Sequence, residues 1–83
     1  MTYVYYLKLK NGQIYKGVTE DLQRRMYEHE SGKVKSTKYR LPVTLIGYEA
    51  YLFKSDAQRR ERFLKTTNGR RIMNQQYRDV INN

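Results

Sequence analysis

The chain opens on a stretch whose apolar and polar positions alternate with a period of two. In TYVYYLKLKNGQIYKGV, two β-prone segments flank Asn11-Gly12, a dipeptide that accepts the positive φ angles of a hairpin turn. The pattern predicts strands over residues 3–9 and 13–18. Tyr3, Tyr5, Leu7 and Leu9 share one face of the first strand, which the alternation assigns to the core, and Val4, Tyr6, Lys8 and Lys10 share the other. A two-residue Asn11-Gly12 turn would set Tyr5 and Tyr15 on opposite faces. A three-residue Lys10-Asn11-Gly12 turn, bulged with Gly12 left-handed, would set them on the same one. Propensity leaves both turns open.

Beyond the hairpin the period becomes helical. Leu22 and Met26, four apart, mark the buried stripe of a helix capped by Thr19 and running to Glu30, with Glu20 and Asp21 at the positive end of its dipole. Arg25 and His29, also four apart, stand one above the other on an adjacent strip. Residues 31–42, SGKVKSTKYRLP, have the Ser, Gly and Pro of a connection, and Lys33, Lys35, Lys38 and Arg40 there have no acidic neighbour. VTLIGYEAYLF, residues 43–53, reads as a central third strand with Gly47 as a bulge. Ser55-Asp56-Ala57-Gln58 matches a capping box, so a second helix should start there and run to Lys65. Asn68-Gly69 is a stop signal, after which Ile72, Met73, Tyr77 and Ile81 outline a short final helix.

Composition narrows the partners. Eighty-three residues make one domain, 1–83, and 17 Lys and Arg against 8 Asp and Glu give a net charge of +9. That balance favours an anionic partner, nucleic acid first, with an acidic protein or a membrane surface as rivals. No segment approaches the ~18–20 apolar residues of a membrane span, and the amino terminus lacks the apolar run of a signal peptide, so the expected location is the cytoplasm. With no cysteine and one histidine, any metal must lean on carboxylates, phosphates and water.

Several residues carry candidate chemistry beside a plainer reading. Glu61, four after Ala57 and three before Leu64, lies on the edge of the helix stripe, where a carboxylate is costly to desolvate. It is either an i,i+4 partner of Lys65, worth ~0.3–0.5 kcal/mol, or a single metal-binding carboxylate. Tyr15 precedes Gly17, where a missing side chain lets backbone or substrate come close. With nine tyrosines in the chain, Tyr5 and Tyr15 are packing residues unless other groups join them. Arg25 is a surface charge or a bidentate phosphate ligand, and His29 a structural residue or a base. The cations fall in two clusters, the 33–40 loop and the run Arg59, Arg60, Arg62, Lys65, Arg70 and Arg71, suited to salt-sensitive phosphate contact.

In this order the features resemble the GIY-YIG nuclease superfamily, and more closely its small stand-alone, excinuclease-like members. YVYYLKLKNGQIYKGVTEDLQRRMYEHESGKVKSTK is similar to the first three motifs, and YEAYLFKSDAQRRERFLKTTNGRR to the fourth and its sequel. The resemblance puts the first-motif tyrosine on Tyr5, the second motif on Tyr15-Lys16-Gly17, the helix arginine on Arg25, the following histidine or tyrosine on His29 and the metal-binding glutamate on Glu61. The first motif lacks its glycine and isoleucine, and Lys16 replaces the isoleucine of the second. The later asparagine falls on Asn74 by spacing, with Asn68 as the alternative.

The fold so implied, α+β with a three-stranded antiparallel sheet flanked by helices, agrees with the elements above, and it favours the bulged turn. The implied activity is hydrolysis of DNA phosphodiester bonds, RNA not being excluded, with one Mg2+ or Mn2+ on Glu61, in repair or processing. Arg25 would hold the scissile phosphate, Tyr5 or Tyr15 would take the proton of the attacking water, and His29 would orient the tyrosine. Lys33, Lys35, Lys38, Arg40, Arg59, Arg60, Arg70 and Arg71 would carry the nucleic acid. The molecule is expected to be a monomer or weak dimer, and an inactive binding module of the same fold is the alternative.

Overall fold

The computed structural model describes residues 1–83. Three antiparallel strands, β1 (Thr2–Lys8), β2 (Ile14–Thr19) and β3 (Thr44–Tyr51), form one sheet in the order β2-β1-β3. Helix α1 (Leu22–Glu30) follows the hairpin, and α2 (Lys54–Leu64), α3 (Thr67–Gln76) and α4 (Arg78–Asn82) complete the chain. The architecture is the expected α+β arrangement. Strand 43–53, expected at the centre, is instead an edge, and β1 is central.

Both faces of β1 are covered, which corrects the one-sided core that alternation implied. Tyr5, Leu7 and Leu9 pack with Leu22 and Met26 of α1, while Val4 and Tyr6, also fully buried, pack under Ala57, Leu64 and Met73 from α2 and α3. A strand sandwiched this way needs an almost unbroken apolar run, as TYVYYL provides. The hairpin closes through the three-residue, bulged turn: Leu9 N–H donates to the Gln13 carbonyl at 2.9 Å, and Gly12 has φ +87°. The register then pairs Tyr5 with Gly17 and Leu7 with Tyr15, so both tyrosines share the α1 face.

Three local expectations change. Asp21, not Thr19, caps α1, accepting from Arg24 N–H at 3.0 Å, while the Thr19 hydroxyl accepts from Asp21 N–H and shapes the turn before it. The capping box at Ser55 does not form, because the end of β3 delivers an extended Phe53 to the cap position and Ser55 falls inside the first turn. Asn68-Gly69 is no stop but the first turn of α3, where Thr66 caps by accepting from Gly69 N–H at 3.0 Å. The final helix therefore starts before Ile72 and breaks at Tyr77. The third-strand bulge falls at Ile46, beside Gly47, since Tyr6 pairs with Gly47 and Leu7 with Leu45.

Candidate active site

Gly17 is the pivot of the α1 face. A Cβ there would collide with the Tyr5 hydroxyl and lie 2.6 Å from its Cζ, so only glycine lets the Tyr5 ring lie across β2. Tyr5 is fully buried, and Tyr15 beside it is half-buried, their ring centres 6.3 Å apart. The α1 spacing brings two more groups onto this pair. Arg25 Nε–H donates to the Tyr5 oxygen at 3.3 Å, and Nη1 pairs with Glu28 at 3.1 Å. His29, buried, meets Tyr15 edge-on at 5.4 Å, and its Nε2 lies 2.8 Å from the Tyr5 hydroxyl. The other ring nitrogen, Nδ1, lies 2.8 Å from the hydroxyl of Thr37, also buried.

The electrostatics follow from burial and the guanidinium. Burial, reinforced by the Arg25 charge, lowers the His29 pKa to about 4, so the imidazole is neutral at neutral pH. Burial also pushes the Tyr5 phenol above its usual value, with Tyr15 adding to the rise and the Arg25 hydrogen bond opposing it. Arg25 is held charged more firmly than usual by that bond.

Glu61 lies elsewhere. It sits on α2, which packs on the opposite face of the sheet, with 18% of its side chain exposed and one oxygen 2.6 Å from Lys65 Nζ. The link to the tyrosines runs around the free edge of β2, through Lys16. Burial lowers the Lys16 pKa, Arg70 and Lys65 push the same way, and the Glu61 carboxylate opposes them. The structure thus brings Tyr5, Tyr15, Arg25 and His29 into one cluster and Glu61 into a second, cationic one behind Lys16 and Gly17.

Tyr15 and Lys16 line a groove of about 630 Å³ whose wall also includes Arg40, Arg70, Asn74 and Arg78. Asn74 therefore stands beside Tyr15 and Lys16, whereas Asn68 accepts a hydrogen bond from Arg71 at 3.1 Å. A hollow of about 460 Å³ continues the cationic wall along α3, with Arg70, Arg71 and Arg78. Lys33, Lys35, Lys38 and Arg40 are exposed, Lys33 and Lys38 lying over the rings of Tyr27 and Tyr39 at 5.3 and 4.9 Å. Arg59 pairs with Asp56 at 2.8 Å, and Arg60 makes two hydrogen bonds to Glu49 on β3, at 3.2 and 3.3 Å.

Sequence reasoning missed Thr37, Arg78 and Glu49. Thr37 carries no mark in the sequence: it and Val34 are the two buried positions of the basic loop, which only the folded loop shows. Arg78 follows a tyrosine in a chain rich in arginine and carries no local mark. For a metal, no group of three or more His, Cys, Asp or Glu side chains comes together. Glu61 is a single carboxylate paired with Lys65, so a hard divalent ion there would have to displace that pair and take its remaining oxygens from water and phosphate.

The family model described as the GIY-YIG catalytic domain matches residues 1–77. A UPF0213 protein of Staphylococcus saprophyticus is 40% identical over 65 residues, covering 77% of this chain and 79% of that protein. One of Halobacterium salinarum is 44% identical over 66 residues, covering 78% and 86%. The solution NMR structure of a UPF0213 protein of Bacillus halodurans superposes with a TM-score of 0.56 at 36% identity, covering 88% of this chain and 82% of that one.

Proposed function

The chain belongs to the GIY-YIG family, and on that premise we propose that it is a metal-dependent endonuclease hydrolysing DNA phosphodiester bonds, in DNA repair or processing in the cytoplasm. The observation that carries the reading is the convergence of Tyr5, Arg25 and His29 on Tyr15, which itself lines a cationic groove. Tyr15 is the member of the pair that reaches the surface, so it is the one to take a proton from the attacking water, with the buried Tyr5 behind it. Arg25, its side chain 35% exposed, holds the scissile phosphate. Glu61 would hold the metal ion, which stabilises the charge that develops on the leaving 3′ oxygen. Lys16, between the clusters, faces the phosphate that bridges them, and Asn74 lines the same wall.

The test is cleavage of supercoiled plasmid and of branched DNA in Mg2+ or Mn2+ and in chelator. Cleavage should need the metal and fall at least about 100-fold in Glu61→Gln, as expected when a group acting in the transition state is removed. A second reading, a binding module with little catalysis, draws on the Glu61–Lys65 pair, which occupies the carboxylate the metal needs. It predicts salt-dependent binding equal in parent and Glu61→Gln, with both inert toward every substrate.

A further inference from the structure

We infer that Thr37 is a positioning residue that fixes His29 with its proton on Nε2, and thereby directs a buried chain of hydrogen bonds onto the Tyr5 oxygen. The tautomer assignment does not depend on the proposed nuclease reaction; only its catalytic consequence rests on it.

A neutral imidazole has one N–H and one lone pair, so of its two partners at 2.8 Å one must donate to it and the other accept. The Thr37 hydroxyl decides which. It is fully buried, and His29 Nδ1 is its one hydrogen-bond partner. If it accepted from Nδ1–H, its own proton would be left buried and unpaired; if it donates, only a lone pair goes unused, which costs less. Thr37 therefore donates to Nδ1, and His29 Nε2–H donates to the Tyr5 oxygen.

That oxygen then receives two N–H donors, from His29 and from Arg25 Nε at 3.3 Å. Its own O–H is then turned away from both donors, on the face it shares with Tyr15, whose ring centre lies 6.3 Å from its own. The order runs Thr37 to His29 to Tyr5, each donating to the next. A chain polarised this way ends on the Tyr5 oxygen and stabilises negative charge on the tyrosine pair, which is what a tyrosine must carry to accept a proton from water. The reverse tautomer would make the Tyr5 hydroxyl a donor to the imidazole instead.

Thr37 is held for this role. Its N–H donates to the Val34 carbonyl at 3.1 Å, its carbonyl accepts from Arg40 N–H at 2.9 Å, and the Arg40 carbonyl accepts from Lys10 N–H of the hairpin turn at 2.9 Å. The basic loop and the imidazole are thus one mechanical unit.

Nitrogen NMR of the His29 ring in the full chain tests the assignment without any cleavage assay. The wild type should show a protonated Nε2 and an unprotonated Nδ1. Thr37→Val should move the Nδ1 resonance downfield, as for a lone pair that has lost its donor, and Thr37→Ser should return it. Where cleavage is measured, Thr37→Val should lower kcat about fivefold with KM unchanged, the loss of one neutral hydrogen bond, and Thr37→Ser should recover it. A proton on Nδ1 in the wild type, or an Nδ1 resonance that Thr37→Val leaves in place, overturns the inference. Should Thr37→Val not fold, the wild-type and Thr37→Ser spectra still decide it. An inert wild type with the expected tautomer would refute the nuclease reading alone.

Discussion

At the scale of single residues the site depends on missing atoms and missing charge. Gly17→Ala would press a methyl group against the Tyr5 hydroxyl inside a packed sheet, so it should cost about 1–3 kcal/mol in urea unfolding and displace Tyr5 from His29. His29 predicts a pH dependence. The unfolded chain binds its proton near the ordinary histidine value of 6.5 and the folded chain only near 4, so the unfolded state holds more protons between those values. Stability is then full above that window and falls as pH drops through it, by roughly 3 kcal/mol in all, and His29→Gln should flatten this part of the curve. Glu49 acts in the same direction at lower pH. Burial raises its pKa, but hydrogen bonds from Arg60, Tyr51 and Tyr6 more than offset that and hold it below its usual range. The Arg25–His29 spacing was legible because four residues on a helix superpose two side chains wherever the helix docks. Thr37 was not, since its meaning depends on how an irregular loop folds back onto α1.

Among the elements, what could be read from short spacings held where no neighbour intervened. The hairpin formed as Asn11-Gly12 indicates, and the bulged turn set Tyr5 and Tyr15 together. Signals at helix ends failed where tertiary structure delivered the chain differently. Phe53 occupies the α2 cap with φ −109° and ψ 134°, is 63% exposed and offers no side-chain acceptor. Phe53→Asp should therefore stabilise the fold by about 1 kcal/mol, read as a higher urea midpoint at unchanged slope. An unchanged midpoint would mean the Phe53 ring contributes as much as the missing cap. Gly69 was taken for a terminator, yet its role is close approach: a Cβ would overlap the Phe63 carbonyl and lie 2.7 Å from Leu64 Cα. Gly69→Ala should push α3 off α2 and cost about 2–3 kcal/mol, although alanine is the better helix former.

Over the whole molecule the sheet separates two sets of charges that look alike in the sequence. A period of two says which residues share a face but not that both faces will be covered, nor that Glu61 and Tyr5 will lie on opposite sides of one strand. The strand order β2-β1-β3 also divides the cations. Arg70 and Arg78 stand with Tyr15 and Lys16 at the β2 edge, whereas Arg59 lies in a hollow with Tyr51, Arg60 and Phe63 toward β3 and is paired with Asp56. Nucleic acid lying in the groove of the β2 edge would release counterions from phosphates near the first set and leave the second in place. Each of Arg70→Gln and Arg78→Gln should then lower the slope of log K against log salt by about 1, while Arg59→Gln should leave it unchanged. Fluorescence anisotropy with a labelled oligonucleotide across a salt series measures all three. Equal losses at Arg59 and at Arg70 would mean that contact follows total charge rather than the groove, and the tyrosine cluster would lose its claim to stand beside the bound strand.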